Sequence, residues 1–175
     1  MRYAAFLRAV NLGRNRRASG GELCAIFKGL GLEEVASFQT SGNVVFEAPS
    51  DAKAAIEEAL EKALGYEVAI FLRTASQVRK IAADEPFKPA QVKASKGKLQ
   101  VLMLAAKPTA ATRKKVVALA TDDDLLKFGE RELYWLPSGG TLESSLDTKA
   151  IGKLLAPTTQ RTKGTIERLA AKFFA

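Results

Sequence analysis

The sequence predicts an α+β chain of two successive β-α-β-β-α-β modules, each folding an antiparallel sheet, with one helix added at the C-terminus. Three observations carry this. Short apolar runs of strand length alternate with stretches whose apolar residues recur at helical spacing. The same order of elements occurs twice along 175 residues, a length that suits one large domain or two small ones. The hydrophobic fraction of 47% and charged fraction of 26% are those of an ordinary globular chain.

The first module opens with Tyr3 to Val10, a mostly apolar run that reads as a buried strand. Asn11 to Arg17 follows as a loop by composition. Ser19 and Glu22 stand at capping-box spacing, and Leu23, Ile26, Phe27 and Leu30 then mark one face of a helix that Gly31 ends. Val35 to Gln39 and Asn43 to Phe46 read as strands joined by a tight hairpin at Thr40-Ser41-Gly42. Ser50 and Asp51 open a second helix with a stripe of Ile56, Ala59, Leu60, Ala63 and Leu64, closed by Gly65. Tyr66 to Arg73 is the fourth strand. Thr74 and Gln77 form another capping box ahead of a short helix, and Pro86 to Lys98 reads as a flexible, lysine-rich connection.

The second module repeats this order. Leu99 to Leu104 is a strand, and Thr109 to Ala120 a helix with Val116, Val117 and Ala120 inward. Leu125 to Gly129 and Glu132 to Leu136 form a hairpin. Thr148 to Leu155 is a helix burying Ile151, Leu154 and Leu155, and Thr158 to Thr162 a last edge strand. A final helix carries Ile166, Leu169, Ala170, Phe173 and Phe174 on one stripe. Such units are ferredoxin-like split β-α-β modules. The expected boundaries are 1–74 for the first module, 75–98 for the helix and connection, and 99–175 for the second module with its terminal helix. Right-handed crossovers give the strand order 4-1-3-2. That order brings the loop after strand one and the turn between strands two and three to the same end of the sheet.

Composition also excludes chemistry. There is no histidine, so Ser-His, Cys-His and His-zinc arrangements are ruled out, and no metal site is expected. Cys24 is the only cysteine; it lies in an amphipathic helix as a buried thiol, and a reducing, cytoplasmic setting fits it. No apolar run approaches the ~18 residues of a membrane span, and the charged N-terminus does not read as a secretory signal. The sequence names neither a reaction nor a catalytic residue, and it leaves cofactors and oligomeric state unknown.

The net charge of +8 favours anionic partners, either a small molecule or a nucleic acid. The first candidate site is the end of the N-terminal module. There Arg8, Asn11, Gly13, Arg14, Arg16 and Arg17 meet Thr40, Ser41 and Asn43 beside a helix N-terminus, a natural anion seat. Arg14, Arg16 and Arg17 would pair with anionic oxygens, and Asn11, Ser41 and Asn43 would orient the ligand. The plainer account is that Asn11 and Ser41-Gly42-Asn43 shape turns. A second set is Arg161, Thr162, Lys163 and Thr165, where a threonine serves equally well as a helix cap. The third is the Lys88 to Lys98 loop, as a solvated linker or a nucleic-acid arm. Asp122-Asp123-Asp124 reads as a solvated loop rather than a cation site. RNA or single-stranded DNA binding, by charge or by stacking on Tyr3, Phe6 and Phe46, is the competing class, with an enzyme of unknown reaction as a third; Phe6 and Phe46 read more simply as core.

Two segments resemble a known family. Phe6-Leu7-Arg8-Ala9-Val10-Asn11-Leu12-Gly13 and Gln39-Thr40-Ser41-Gly42-Asn43-Val44-Val45-Phe46 are similar to motifs of domain-of-unknown-function family 1697, a family of bacterial proteins. Thr159, Arg161, Thr165, Ile166 and Leu169 match the spacing of its C-terminal motif, which this chain departs from at Thr162, Lys163 and Gly164. The resemblance implies paired ferredoxin-like modules and carries no activity with it.

Overall fold

The computed structural model describes residues 1–8, 18–39 and 42–175. It divides into two compact units, one formed by residues 1–81 with 169–175 and the other by residues 82–168. Each holds a four-stranded antiparallel sheet of the expected order, and both are ferredoxin-like modules.

In unit 1, β1 (Arg2–Leu7) runs between β3 (Asn43–Glu47) and β4 (Ile70–Thr74), with β2 (Glu33–Ser37) outside β3. Alternate residues Tyr3, Ala5 and Leu7 point to one face and join Val44, Phe46, Ile70 and Leu72 in a core. Helices α1 (Gly20–Gly29) and α2 (Lys53–Leu64) close that core with Leu23, Phe27, Ile56 and Leu60. Phe46 ties the two layers, stacked on Tyr3 and met edge-on by Phe27. Ala4, Phe6, Val45 and Phe71 on the opposite face are buried as well, which is why β1 reads as an unbroken apolar run rather than an alternation.

The local signals act as their chemistry requires. The Glu22 amide donates to Ser19 Oγ at 3.1 Å. Gly65 closes α2 at φ +81°, a conformation costly for any residue with a Cβ. Thr74 and Gln77 exchange both capping-box bonds, at 3.2 and 2.9 Å, to start α3 (Ala75–Ala83). Two boundaries move. β4 starts only at Ile70, not at Tyr66, and α2 starts at Lys53, whose amide donates to the Asp51 carboxylate at 2.8 Å.

In unit 2, β5 (Gln100–Leu104) lies between β7 (Glu132–Pro137) and β8 (Thr158–Thr162), with β6 (Asp124–Phe128) beyond β7. Helices α5 (Ala110–Val117) and α6 (Thr148–Leu155) cover one face, where Val116, Ile151 and Leu155 pack on Leu104, Leu133 and Trp135. Three expected core residues are outside: Val117 and Leu154 are 45% and 38% exposed, and Ala120 is exposed. α5 stops at Val117, so the helical stripe ends there and Leu119 packs against the core from the following turn.

The lysine-rich connection is not a loose linker. It contains a short helix α4 (Pro89–Ala94), started by the Lys88 amide donating to Gln91 Oε1 at 3.0 Å. Lys96 N–H then donates to Ser138 O at 2.9 Å, and the Ser95 hydroxyl donates to Pro137 O, binding the segment to the end of β7. Gly97 permits this approach, since a Cβ there would stand 2.1 Å from Gly139 O. Helix α7 (Lys163–Phe173) follows β8; Ile166, Leu169, Ala170 and Phe174 are buried, while Phe173 is half-buried.

The acidic run is also not all solvated. Asp124 is 1% exposed and accepts from Trp135 Nε1 at 2.9 Å, the Ser144 hydroxyl at 2.6 Å and the Thr121 hydroxyl at 2.9 Å. Burial pushes its carboxyl up, but the hydrogen bonds from Ser144, Trp135 and Thr121 more than offset this and hold it below the ordinary value of 3.8. One aspartate of the three thus fastens β6, β7 and the Ser144 turn.

Two predictions follow from these contacts. Phe27→Ala empties a fully buried ring site and lowers stability by about 3–5 kcal/mol, read from the urea midpoint. Asp124→Asn destabilises most at neutral pH. Because the folded state lowers this pKa, the carboxylate's contribution is present above 3.8 and is lost as pH falls through the lower folded value. The gap between wild type and variant should therefore narrow as pH falls below 3.8; an unchanged gap through acid pH would show that the charge is not what the variant loses.

Candidate functional site: a cavity in the second unit

The topology joins the ends of the two N-terminal segments that the sequence singles out. Leu7 N–H donates to Gly42 O at 2.8 Å, and Phe6 pairs with Asn43 across β1 and β3. Arg8 is exposed at that end of the sheet, its amide donating to Ala69 O at 3.0 Å. Asn43 is 1% exposed, and its side-chain amide donates to Phe38 O at 3.0 Å, closing the hairpin from within. Asn11, Gly13, Arg14, Arg16, Arg17, Thr40 and Ser41 lie outside the described residues. The stacking platform is not open: Phe6 and Phe46 are 0% and 1% exposed, and Tyr3 is buried with them.

Arg161 belongs to unit 2. It lies in β8 opposite Val101, 7% exposed, and donates through Nη1 to Thr159 Oγ1 at 2.9 Å and Gln160 O at 2.8 Å. Burial lowers its pKa to about 10, which leaves it charged at neutral pH. Arg73 holds the matching place in unit 1: opposite Ala4 in β4, 1% exposed, and donating to the carbonyl of its own preceding residue. Each arginine is followed by a threonine that caps the next helix, Thr74 for α3 and Thr162 for α7, where the Thr165 amide donates to Thr162 Oγ1 at 3.2 Å. The same Arg-Thr pair thus stands at the end of the fourth strand in each module, a likeness that element order alone does not reveal.

A concavity with a volume of about 600 Å³ lies within unit 2, between the 84–99 segment and the start of α7. It takes Thr162 and Lys163 from the second sequence candidate and Lys93 and Lys98 from the third, while Arg161 and Thr165 do not line it. Phe87, Val92 and Leu99 give it an apolar wall, and Lys93, Lys98 and Arg168 bring cations to it. Three acids also line it, but two are engaged. Asp84 accepts the hydroxyl of Tyr134, whose pKa is driven above its usual 10.0 by burial and by the Asp84 and Glu132 charges. Glu167 takes Lys163 Nζ at 2.7 Å, and that buried ammonium also donates to Ala82 O at 2.9 Å. The α7 first turn, at Lys163 and Gly164, presents the positive end of the helix to the same space. A group that is anionic at one end and apolar at the other has complementary partners here, and Glu85 adds an acceptor for a hydroxyl.

Among the described residues no cluster of three potential metal-ligating side chains occurs, and no helix is long and apolar enough to cross a membrane. Cys24 is half-buried in α1.

The family description "Protein of unknown function (DUF1697)" matches residues 1–134. No curated protein sequence matches the chain. A solved structure, the conserved bacterial protein SP0830 from Streptococcus pneumoniae, superposes with a TM-score of 0.63 at 22% identity, covering 97% of each chain. At that identity the likeness is one of fold.

Proposed function

This chain belongs to the DUF1697 family of proteins of unknown function, and we propose from its own geometry that it binds a small phosphate-bearing or otherwise anionic ligand in the unit 2 cavity. The observation that carries the reading is the cavity itself. Its volume of about 600 Å³ suits a small molecule, and cations and an apolar wall converge on it. With Asp84 held by Tyr134 and Glu167 by Lys163, the balance left for a ligand is basic. Lys98 and Arg168 pair with the anionic group, and Phe87 and Leu99 take its apolar part.

A second reading places the anion at the N-terminal module, on Arg8, Asn11, Gly13, Arg14, Arg16, Arg17, Thr40, Ser41 and Asn43. It is favoured by the Leu7 to Gly42 hydrogen bond, which brings the ends of both segments to one end of the sheet.

A thermal-shift screen against nucleotides, phosphorylated metabolites and polyphosphate, at low and near-physiological salt, decides between them. A native-state ligand at 100 times its Kd adds about 2.7 kcal/mol, or roughly 5–10 °C for a chain of this size. The expected result is a salt-resistant shift that Lys98→Ala with Arg168→Ala removes and Arg14→Ala with Arg16→Ala retains. The reverse pattern moves the site to the N-terminal module, and no shift with any small anion ends the proposal.

A further inference from the structure

The two units share a topology but not the charge of their helical layers. In unit 1 the layer is mixed: α1 carries Glu22 and Lys28, and α2 carries Glu57, Glu58 and Glu61 against Lys53 and Lys62. In unit 2, α5 carries Arg113, Lys114 and Lys115, and α6 carries Lys149 and Lys153, with no acid in either helix. The fold imposes no such difference, since both layers do the same work of covering one face of a sheet.

The lysines share a direction. Val116 and Ile151 face the core. Lys114 stands two residues before Val116, and Lys149 and Lys153 stand two residues either side of Ile151. At about 100° per residue, each is turned about 200° from its core anchor, onto the outer surface. All three are exposed, as is Lys107 ahead of α5. Arg113 is committed elsewhere: its guanidinium donates to Gly129 O and Glu130 O and lies over the Phe128 ring. α5 and α6 pack against each other, which sets the Lys114 row and the Lys149–Lys153 row about 8–10 Å apart.

From this arrangement we propose that the outer face of α5 and α6 binds the phosphate backbone of duplex DNA without reading its sequence. A duplex offers two lines of closely spaced negative charge flanking a minor groove about 6 Å wide. Lys114, with Lys107 ahead of α5, stands on one side and Lys149 with Lys153 on the other, at helix-packing distance, so that the two sides straddle that groove, one to each strand. The A-form groove of RNA is wide and shallow and fits the spacing less well. No aromatic residue occurs in α5 or α6, so there is nothing on which to stack an unpaired base, which disfavours single strands. Acids lie at one margin: Asp122 and Asp123 follow α5, and Asp147 caps α6 with its carboxylate on the Ala150 amide. The two helices run antiparallel, so these acids gather at one end and Lys107 and Lys153 at the other.

The test is fluorescence anisotropy with a labelled duplex of about 20 base pairs on the full chain, titrated across salt. Four phosphate contacts predict a log–log salt slope near −3.6 and affinity in the range of about 10⁻⁴ to 10⁻⁶ M at physiological salt. The triple reversal Lys114→Glu, Lys149→Glu, Lys153→Glu should weaken binding at least about tenfold and flatten the slope toward −1, with an unchanged melting temperature because all three side chains are exposed. Lys98→Ala with Arg168→Ala, the cavity variant, should leave duplex binding as it is, so that this surface and the cavity fail or stand separately. Wild-type affinity in the triple variant overturns the proposal. So does tighter binding to single-stranded DNA, duplex RNA or anionic vesicles, or no binding to the duplex at all.

Discussion

Each sheet is organised around a strand that is hydrogen-bonded along both edges and buried on both faces, β1 in one unit and β5 in the other. Such a strand has no water available to its amides and carbonyls, so every one of them needs a neighbour. The neighbours are fixed by topology: the third strand must return beside the first, and the fourth must close the other edge. The segments joining these strands then have no freedom to wander. Loop ends meet at the sheet end, as Leu7 and Gly42 do, and in both units a helix follows the fourth strand at once, capped by Thr74 and by Thr162.

The same constraint explains two buried arginines. An edge strand placed beside a fully buried strand carries side chains on a face that is itself covered, and Arg73 and Arg161 occupy equivalent places there. Isolated burial of a guanidinium is costly. The cost is met locally, each Nη1 donating to the carbonyl of the preceding residue, and for Arg161 also to Thr159 Oγ1. Burial lowers the Arg161 pKa to about 10, which leaves the guanidinium charged at neutral pH. Arg161 is thus tied into the frame on which α7 begins, and α7 supplies one wall of the cavity.

Local signals were legible in the sequence wherever they act within a few residues. Ser19, Gly65 and the Thr74–Gln77 pair do in the structure what their spacing announces. Strand order followed too, because handedness leaves few alternatives. Errors arose where a neighbour remote in sequence decides. Asp124 reads as one of three solvated carboxylates until Trp135 and Ser144 are brought to it. The 86–98 stretch reads as a linker until the end of β7 pins it, and Gly97 looks like flexibility when it is a close contact with Gly139. The cavity was invisible for the same reason: residues 84–99 and 162–168 form it together, and neither segment alone has the shape of a site. Positive charge was legible as charge, while its grouping needed the helices' faces.

Two modules of one topology pose the same packing problem twice, and the solutions here separate what packing demands from what it permits. Buried positions correspond in kind: Leu23, Phe27, Ile56 and Leu60 seal one sheet as Val116, Ile151 and Leu155 seal the other. Outward positions owe nothing to that core, and there the units part company, with carboxylates and lysines interleaved on α2 and lysines alone on α6. Like charges set side by side repel, so an all-basic face gains no stability over a mixed one and in isolation is slightly the worse arrangement. Folding does not reward this difference, confined to one of two equivalent surfaces, and the phosphate contact proposed for the α5–α6 face would.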